Sequence, residues 1–330
     1  MMMMKIWMVM MVFFGVAASA VDKNHNGAQH QALCDLMRIA VGKWGDRGKG
    51  LSDTLSKALN RTIFGKEGGG DITELRKQLP NFYEEVLGGN AARSAPCVGR
   101  QSGQSAPYDM VCLCTKGHNG WPLSEPGIET LCGQPRTALE TGDEGWSDEE
   151  RNKGQKELNA TWRNVVSPCL EGDIGNDLKE ALETFKGKLV NKSDEFYPGM
   201  YQLGEGKPVR YSACTGYSPL GVCVMYYNGT EKMDHTPWWV DLENALPEEE
   251  KFQEEKKKRE EEERRKKQDE QQNLELPQTA ALRSAPPATN QTDQQHNGLN
   301  LTTHFHRLNM TSGTLITPPC IGFLTVAILI

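Results

Sequence analysis

Residues 33–44 read LCDLMRIAVGKW and place Leu33, Leu36, Met37, Ala40, Val41 and Trp44 at the i, i+3, i+4, i+7 spacing of one helical face. This predicts an amphipathic helix with an early cysteine. Leu51, Leu55, Ala58 and Leu59 resume the stripe beyond the glycines of GDRGKG. Each glycine costs about 1 kcal/mol against alanine inside a helix, so the spacing leaves one helix or two open. A counterpart lies further along. Helical signal returns from Ser147, with Asp148, Glu149 and Glu150 read as an acidic first turn favoured by the helix dipole. Leu158, Trp162, Val165 and Val166 follow, then Leu178, Leu182, Phe185 and Leu189 at alternating steps of four and three, the seam spacing of a coiled coil. Stripes this narrow are not self-contained cores, so the two regions are expected to pack on each other in a mainly α fold.

The stretches between are of another kind. Asp71 and Glu74 have nearly the spacing of a capping box, Ile72, Leu75 and Leu79 share a face, and Pro80 kinks or ends that helix. GKEGGGD, residues 65–71, lacks the frame of a phosphate-binding loop and reads as a turn. From Ala91 to Gly145 periodicity is lost while Gly, Pro and Ser are frequent and four cysteines occur, which reads as disulfide-stapled loops. YSACTGYSPLGVCVMYY, residues 211–227, reads as a cysteine-closed hairpin, and Trp238 and Trp239 as core plugs. Residues 248–270 carry blocks of both charges and almost nothing apolar, consistent with an exposed helix or with disorder. From Leu274 to Leu308 the composition cannot bury a core and reads as a stalk.

Both ends read as processing signals. MMMMKIWMVMMVFFGVAASA has one lysine, an apolar centre and small residues Ala18-Ser19-Ala20, the order of a secretory leader cut after Ala20. The last apolar run begins only at Cys320, too short to cross a bilayer, and small residues Ser312, Gly313 and Thr314 precede it. That order matches a glycosylphosphatidylinositol (GPI) attachment signal with Ser312 as the anchored residue and 313–330 removed. The resulting division is a leader at 1–20, a head at 21–247, a charged and polar stalk at 248–312, and the removed tail.

Without Cys320, eight cysteines remain: Cys34, Cys97, Cys112, Cys114, Cys132, Cys169, Cys214 and Cys223. An oxidising compartment pairs such an even set. Cys112 and Cys114 are expected to take different partners, because a bridge across one residue is strained, and Cys214 with Cys223 is the natural local pair. A C-x-C-x3-H zinc reading of Cys112, Cys114 and His118 is outweighed by that framework. N-glycosylation sequons stand at Asn60, Asn159, Asn191, Asn228, Asn290, Asn300 and Asn309. The net charge of −7 and the lack of a basic cluster argue against nucleic-acid binding. No nucleophile elbow, zinc-protease motif or phosphate loop occurs, and no enzyme, cofactor or small-molecule substrate is expected. His304 and His306 fall in the stalk and read as solvated.

Taken in this order, the leader, the early-cysteine helix LCDLMRIAVGKW, the cysteine-bearing loops, a second helical seam, a hydrophilic tail and a glycolipid signal resemble the variant surface glycoproteins of African trypanosomes. The resemblance is strongest to shorter, single-domain members, since no second cysteine cluster lies between Asp241 and Ser312. It implies an elongated antiparallel helical coiled coil with disulfide-stapled loops and a flexible C-terminal stalk. It further implies a homodimer held at the outer leaflet of the plasma membrane by its GPI lipid. Such proteins form a dense coat that meets host antibodies and evades them by antigenic variation. The alternative is a related surface receptor for a host protein such as transferrin or haptoglobin–haemoglobin.

Overall fold

The computed structural model describes residues 23–81, 92–98, 102–149, 154–173, 177–193, 199–207, 212–228 and 236–280, with side chains to 272. The leader, Ser312 and the tail lie outside these residues. The chain divides into two compact units, Met1–Gln268 and Asp269–Ile330. Of the second, the helix to Ala280 is described, with side chains to 272.

The first unit is mainly helical and is built around α1 (Gly27–Trp44). Ala32, Leu33, Cys34, Leu36, Met37, Ile39, Ala40, Val41 and Trp44 are all buried. A helix covered on so many sides needs several neighbours. Those that pack on it are α2 (Asp53–Phe64), α5 (Ala106–Cys114), α7 (Ser167–Cys169) and α8 (Leu178–Lys186). The glycine-containing segment after α1 does separate two helices: Gly45, Gly48 and Gly50 all have positive φ, which lets the chain turn before Ser52 caps α2 through the Leu55 amide. The short helix α3 (Ile72–Lys77) starts where Asp71 accepts from the amides of Thr73 and Glu74.

α8 presents Leu178, Ala181, Leu182 and Phe185 to α1. It ends at Lys186, before Leu189, so the four-three spacing of the sequence is spread over a helix of nine residues and a following turn. Among its described residues, the region read as loops contains the α-helices α4 (Ser94–Val98) and α5, besides two single 3-10 turns. α5 is buried along almost its whole length, so it has no polar face and no period to detect. Its local signals are the cap from Ser105 to the Tyr108 amide and Pro107 in the first turn.

Asp148 and Glu149 do not open a helix. Helix α6 (Gln155–Thr161) begins after Gly154, and continues through a π-helical turn, Trp162–Val166, into α7. Asp148 instead accepts from the Ser94 amide at 2.7 Å, and Glu149 receives the Tyr217 hydroxyl. These contacts satisfy both acids, and Asp148 stands at the first amide of α4 and not in a helix of its own.

Two small sheets complete the unit. In one, β1 (Lys23–His25) runs parallel to β2 (Ile128–Leu131), which pairs antiparallel with β3 (Gln134–Pro135). In the other, β4 (Val190–Asn191), β5 (Met200–Leu203) and β6 (Val224–Tyr227) are antiparallel in chain order. β6 therefore finds its partner outside the cysteine-closed segment. Cys214 and Cys223 close a loop tied by Cys214 N to Leu220 O and Gly221 N to Tyr217 O, and not a strand pair.

The helix α9 (Trp238–Ala280) runs through the change of composition at residue 248. Its first residues are core: Trp238 lies against Phe185, and Trp239 meets the ring edges of Tyr201 and Tyr226. Beyond residue 248 it still touches the head. Glu249 accepts from the Ser52 amide at 2.7 Å, Thr54 donates to Glu248, and Gln253 donates to Gly50 O. The rest of the charged run, to 272, is almost entirely exposed helix.

Candidate functional site

The chemistry of this chain is concentrated in its disulfides and in buried polar knots. Cys34 on α1 bridges to Cys169 on α7, Cys97 on α4 to Cys112 on α5, Cys114 to Cys132, and Cys214 to Cys223. Cys112 and Cys114 are two residues apart on one helix, so about 200° separates their side-chain directions and each meets a different part of the chain. With both sulfurs oxidised, no thiolate is left there for a site with His118. A second grouping sits where His30, one turn before Cys34, brings Nε2 to 3.9 Å from Cys169 Sγ. Its two sulfurs belong to one bridge, so this is a disulfide with an imidazole beside it.

The buried polar groups hold loops to helices. Asn26, in the left-handed region at φ 59°, donates through Nδ2 to Leu113 O at 2.8 Å and Val222 O at 2.7 Å, and accepts from Glu205 N at 2.6 Å. Its neighbour His25 is buried against the Trp121 ring edge, 3.5 Å from Glu205. Burial drives the His25 pKa down to about 4 against the pull of Glu205, and burial likewise takes His30 to about 4. Asp109 accepts from Gly103 N and Trp238 Nε1, yet complete burial outweighs those bonds and pushes its carboxyl up to about 7. Arg93 is fully buried over the Trp146 ring and donates to the carbonyls of Trp146 and Cys112, while Lys116 donates to those of Glu140 and Gly142. Glu249 lies below the usual carboxylate range. Burial opposes its charge, but bonds from Ser52 and Gln253 prevail at the N-terminus of α2. Asn26, Asp109, Arg93, Lys116 and Glu249 are bonded to backbone groups or neighbouring side chains of the fold, an arrangement that fixes shape, while both ring nitrogens of His25 are buried without a hydrogen bond.

The family model for the trypanosomal VSG domain matches residues 41–268, well over half of the chain. The chain belongs to this family. The VSG match reaches from the last turn of α1 into α9 and takes in seven of the eight paired cysteines, leaving out Cys34. VSG-domain proteins are structural surface coat glycoproteins of trypanosomes, and the cell surface is where this chain is placed by its membership. No curated protein matches the chain.

Within the VSG fold the sequons fall in unlike settings. Asn60 is part of α2, accepts from Trp44 Nε1 at 2.7 Å and donates to Glu67 O at 2.9 Å. Asn159 is exposed on α6, and Asn191 is exposed on β4. Asn228 is half-buried and donates its amide to Gly199 O. Asn290, Asn300 and Asn309 lie outside the described residues, as do the cleavage site after Ala20 and the anchor residue Ser312. Asn26, Asp109 and Gly42 carry much of the fold and were not singled out by the sequence. The one signal was Gly42 itself, a poor helix former inside the stripe LCDLMRIAVGKW.

Proposed function

We propose that this chain is a GPI-anchored coat protein, delivered by a leader cut after Ala20, joined to lipid at Ser312, and packed as a homodimer into a layer that screens the cell from antibody through antigenic variation. The observation that carries the reading is the VSG-domain match over 41–268 in a chain whose ends have the order of a leader and a GPI signal. Asp109, Arg93, Lys116 and Glu249 are bonded into the fold, which suits a protein whose task is to occupy surface.

The experiment is recovery of the protein from the cell surface and mass analysis of its C-terminal peptide. The reading expects a peptide ending at Ser312 and carrying the glycolipid remnant, on a protein abundant enough to form a layer. Surface protein that retains Ile330, or a copy number far below that of a coat, overturns it. Sedimentation of the released protein tests the dimer.

A further inference from the structure

Of the four sequons among the described residues, one stands in the wall of a depression suited to a sugar. Asn159 lines a cavity of about 390 Å³ between α3 and α6, with Lys77, Glu140, Lys156 and Arg163 supplying polar groups, while Leu79 and Trp162 of its lining are themselves buried. Lys156, Asn159 and Arg163 follow one another at steps of three and four, so they share a helical face. The lining supplies donors and acceptors for sugar hydroxyls.

Asn60 is the contrast. Both ends of its amide are engaged, by Trp44 and by Glu67 O, and the Gly69 backbone passes so close that a β-carbon there would stand 2.6 Å from Asn60 Oδ1. A sugar on Nδ2 would have to enter that contact. The hydroxyls of both sequon threonines are buried in the fold: Thr62 donates to Ala58 O, and Thr161 is bonded to Thr115. Neither sequon can therefore be read once the chain has folded.

We infer that Asn159 is glycosylated during synthesis, that the glycan core lies in the depression between α3 and α6, and that Asn60 is bare in the folded protein, since a chain carrying a sugar there cannot close the Trp44 and Glu67 contacts. This rests on the proposed secretory route. Because the sugar is tethered to the wall of its own site, weak contacts suffice to seat it, as for any intramolecular ligand. The glycan would then cover polar surface beside α3.

The test uses the full chain expressed in a eukaryotic secretory host. Glycans are removed by an amidase in heavy-oxygen water, which marks each occupied asparagine, and peptides are mapped. The mark is expected at Asn159 and not at Asn60. Acylation of lysines on the folded protein then reads the seat: Lys77 and Lys156 should gain reactivity several-fold after the glycan is removed, or in Asn159→Gln, while exposed Lys49, which does not line the depression, should not change. An unmarked Asn159 in a chain marked at other sequons overturns this inference and leaves the coat reading standing. A marked Asn159 with unchanged lysine reactivity overturns the seat, and a marked Asn60 overturns the contrast. A chain that keeps Met1–Ala20 and bears no mark at all refutes the secretory route itself.

Discussion

Asn26 shows how much one residue can hold. Its amide supplies two buried donors to the carbonyls of Leu113 and Val222 and one acceptor to Glu205 N, tying the start of α1 to α5, to Glu205 and to Val222. Asn26→Asp would set a carboxylate against two carbonyl oxygens, and the loss of both donors should cost about 3 kcal/mol or more. Urea denaturation measures it, and a variant as stable as the parent would remove Asn26 from this role. The buried titrating residues predict a pH profile. His25 and His30 are neutral in the fold, with pKa near 4 against 6.5 unfolded, so their contribution is full above pH 6.5 and is lost as pH falls through 4. Asp109 runs the other way: its folded pKa is near 7, so its contribution is full below its unfolded value of 3.8 and is lost as pH rises through 7. Stability should therefore fall on the acid side through two histidines opposed by one aspartate. His25→Gln and His30→Gln should flatten the acid limb, and Asp109→Asn should flatten the limb approaching neutrality. Melting temperatures between pH 4 and pH 8 decide both.

The helices teach where propensity yields to packing. Gly42 lies inside α1, where alanine would be favoured by about 1 kcal/mol. A β-carbon at Gly42 would stand 2.2 Å from Asp173 O, because the 170–173 segment crosses α1 there and Asp173 N bonds Arg38 O. Gly42→Ala should consequently destabilise the protein, the opposite sign to its helix propensity. An increase in melting temperature would show that the crossing can yield. On α8, Leu182→Ala should cost about 2 to 5 kcal/mol, as truncation of a fully buried leucine does, while Lys179→Ala on the exposed face should cost well under about 1 kcal/mol. Equal melting of the two would displace the α1–α8 packing from its central place. α8 was legible because its burial is one-sided, so that Leu178, Leu182 and Phe185 wrote their period into the chain; α1 was legible because Asp35, Arg38 and Lys43 interrupt its apolar run, although neighbours cover it on several sides. α5 was not, because Met110, Val111, Cys112, Leu113 and Cys114 are buried together and leave no polar face to mark a turn. The short strands escaped for another reason. β1 pairs with β2 more than a hundred residues away, and neither is long enough to show an alternation. Among the candidate site residues, the eight cysteines could be counted from sequence, whereas the difference between Asn60 and Asn159 depends on what the fold brings beside each amide.

At the scale of the whole molecule, the order of the bridges along the chain matters more than their number. The loops 97–112 and 114–132 both lie inside the span closed by Cys34–Cys169, whereas Cys214–Cys223 closes only its own short loop. Constraining a span of 135 residues is worth about 5 kcal/mol in the chain-entropy account, the largest such contribution in the molecule. The same order divides the chain into two covalent territories. A protease nick anywhere between Cys34 and Cys169 leaves both fragments on one piece, since a bridge still spans the cut. A nick between Cys169 and Cys214 leaves only packing and hydrogen bonds between the two sides. On a denaturing gel without reductant, the first kind of cut should run as a single intact-sized band that splits only on reduction, and the second should give two bands at once. Two bands from a cut in the first span would contradict the Cys34–Cys169 bridge. A coat molecule so built can take a single cut anywhere in its first territory and shed nothing, while a single cut between Cys169 and Cys214 separates what the backbone alone had joined.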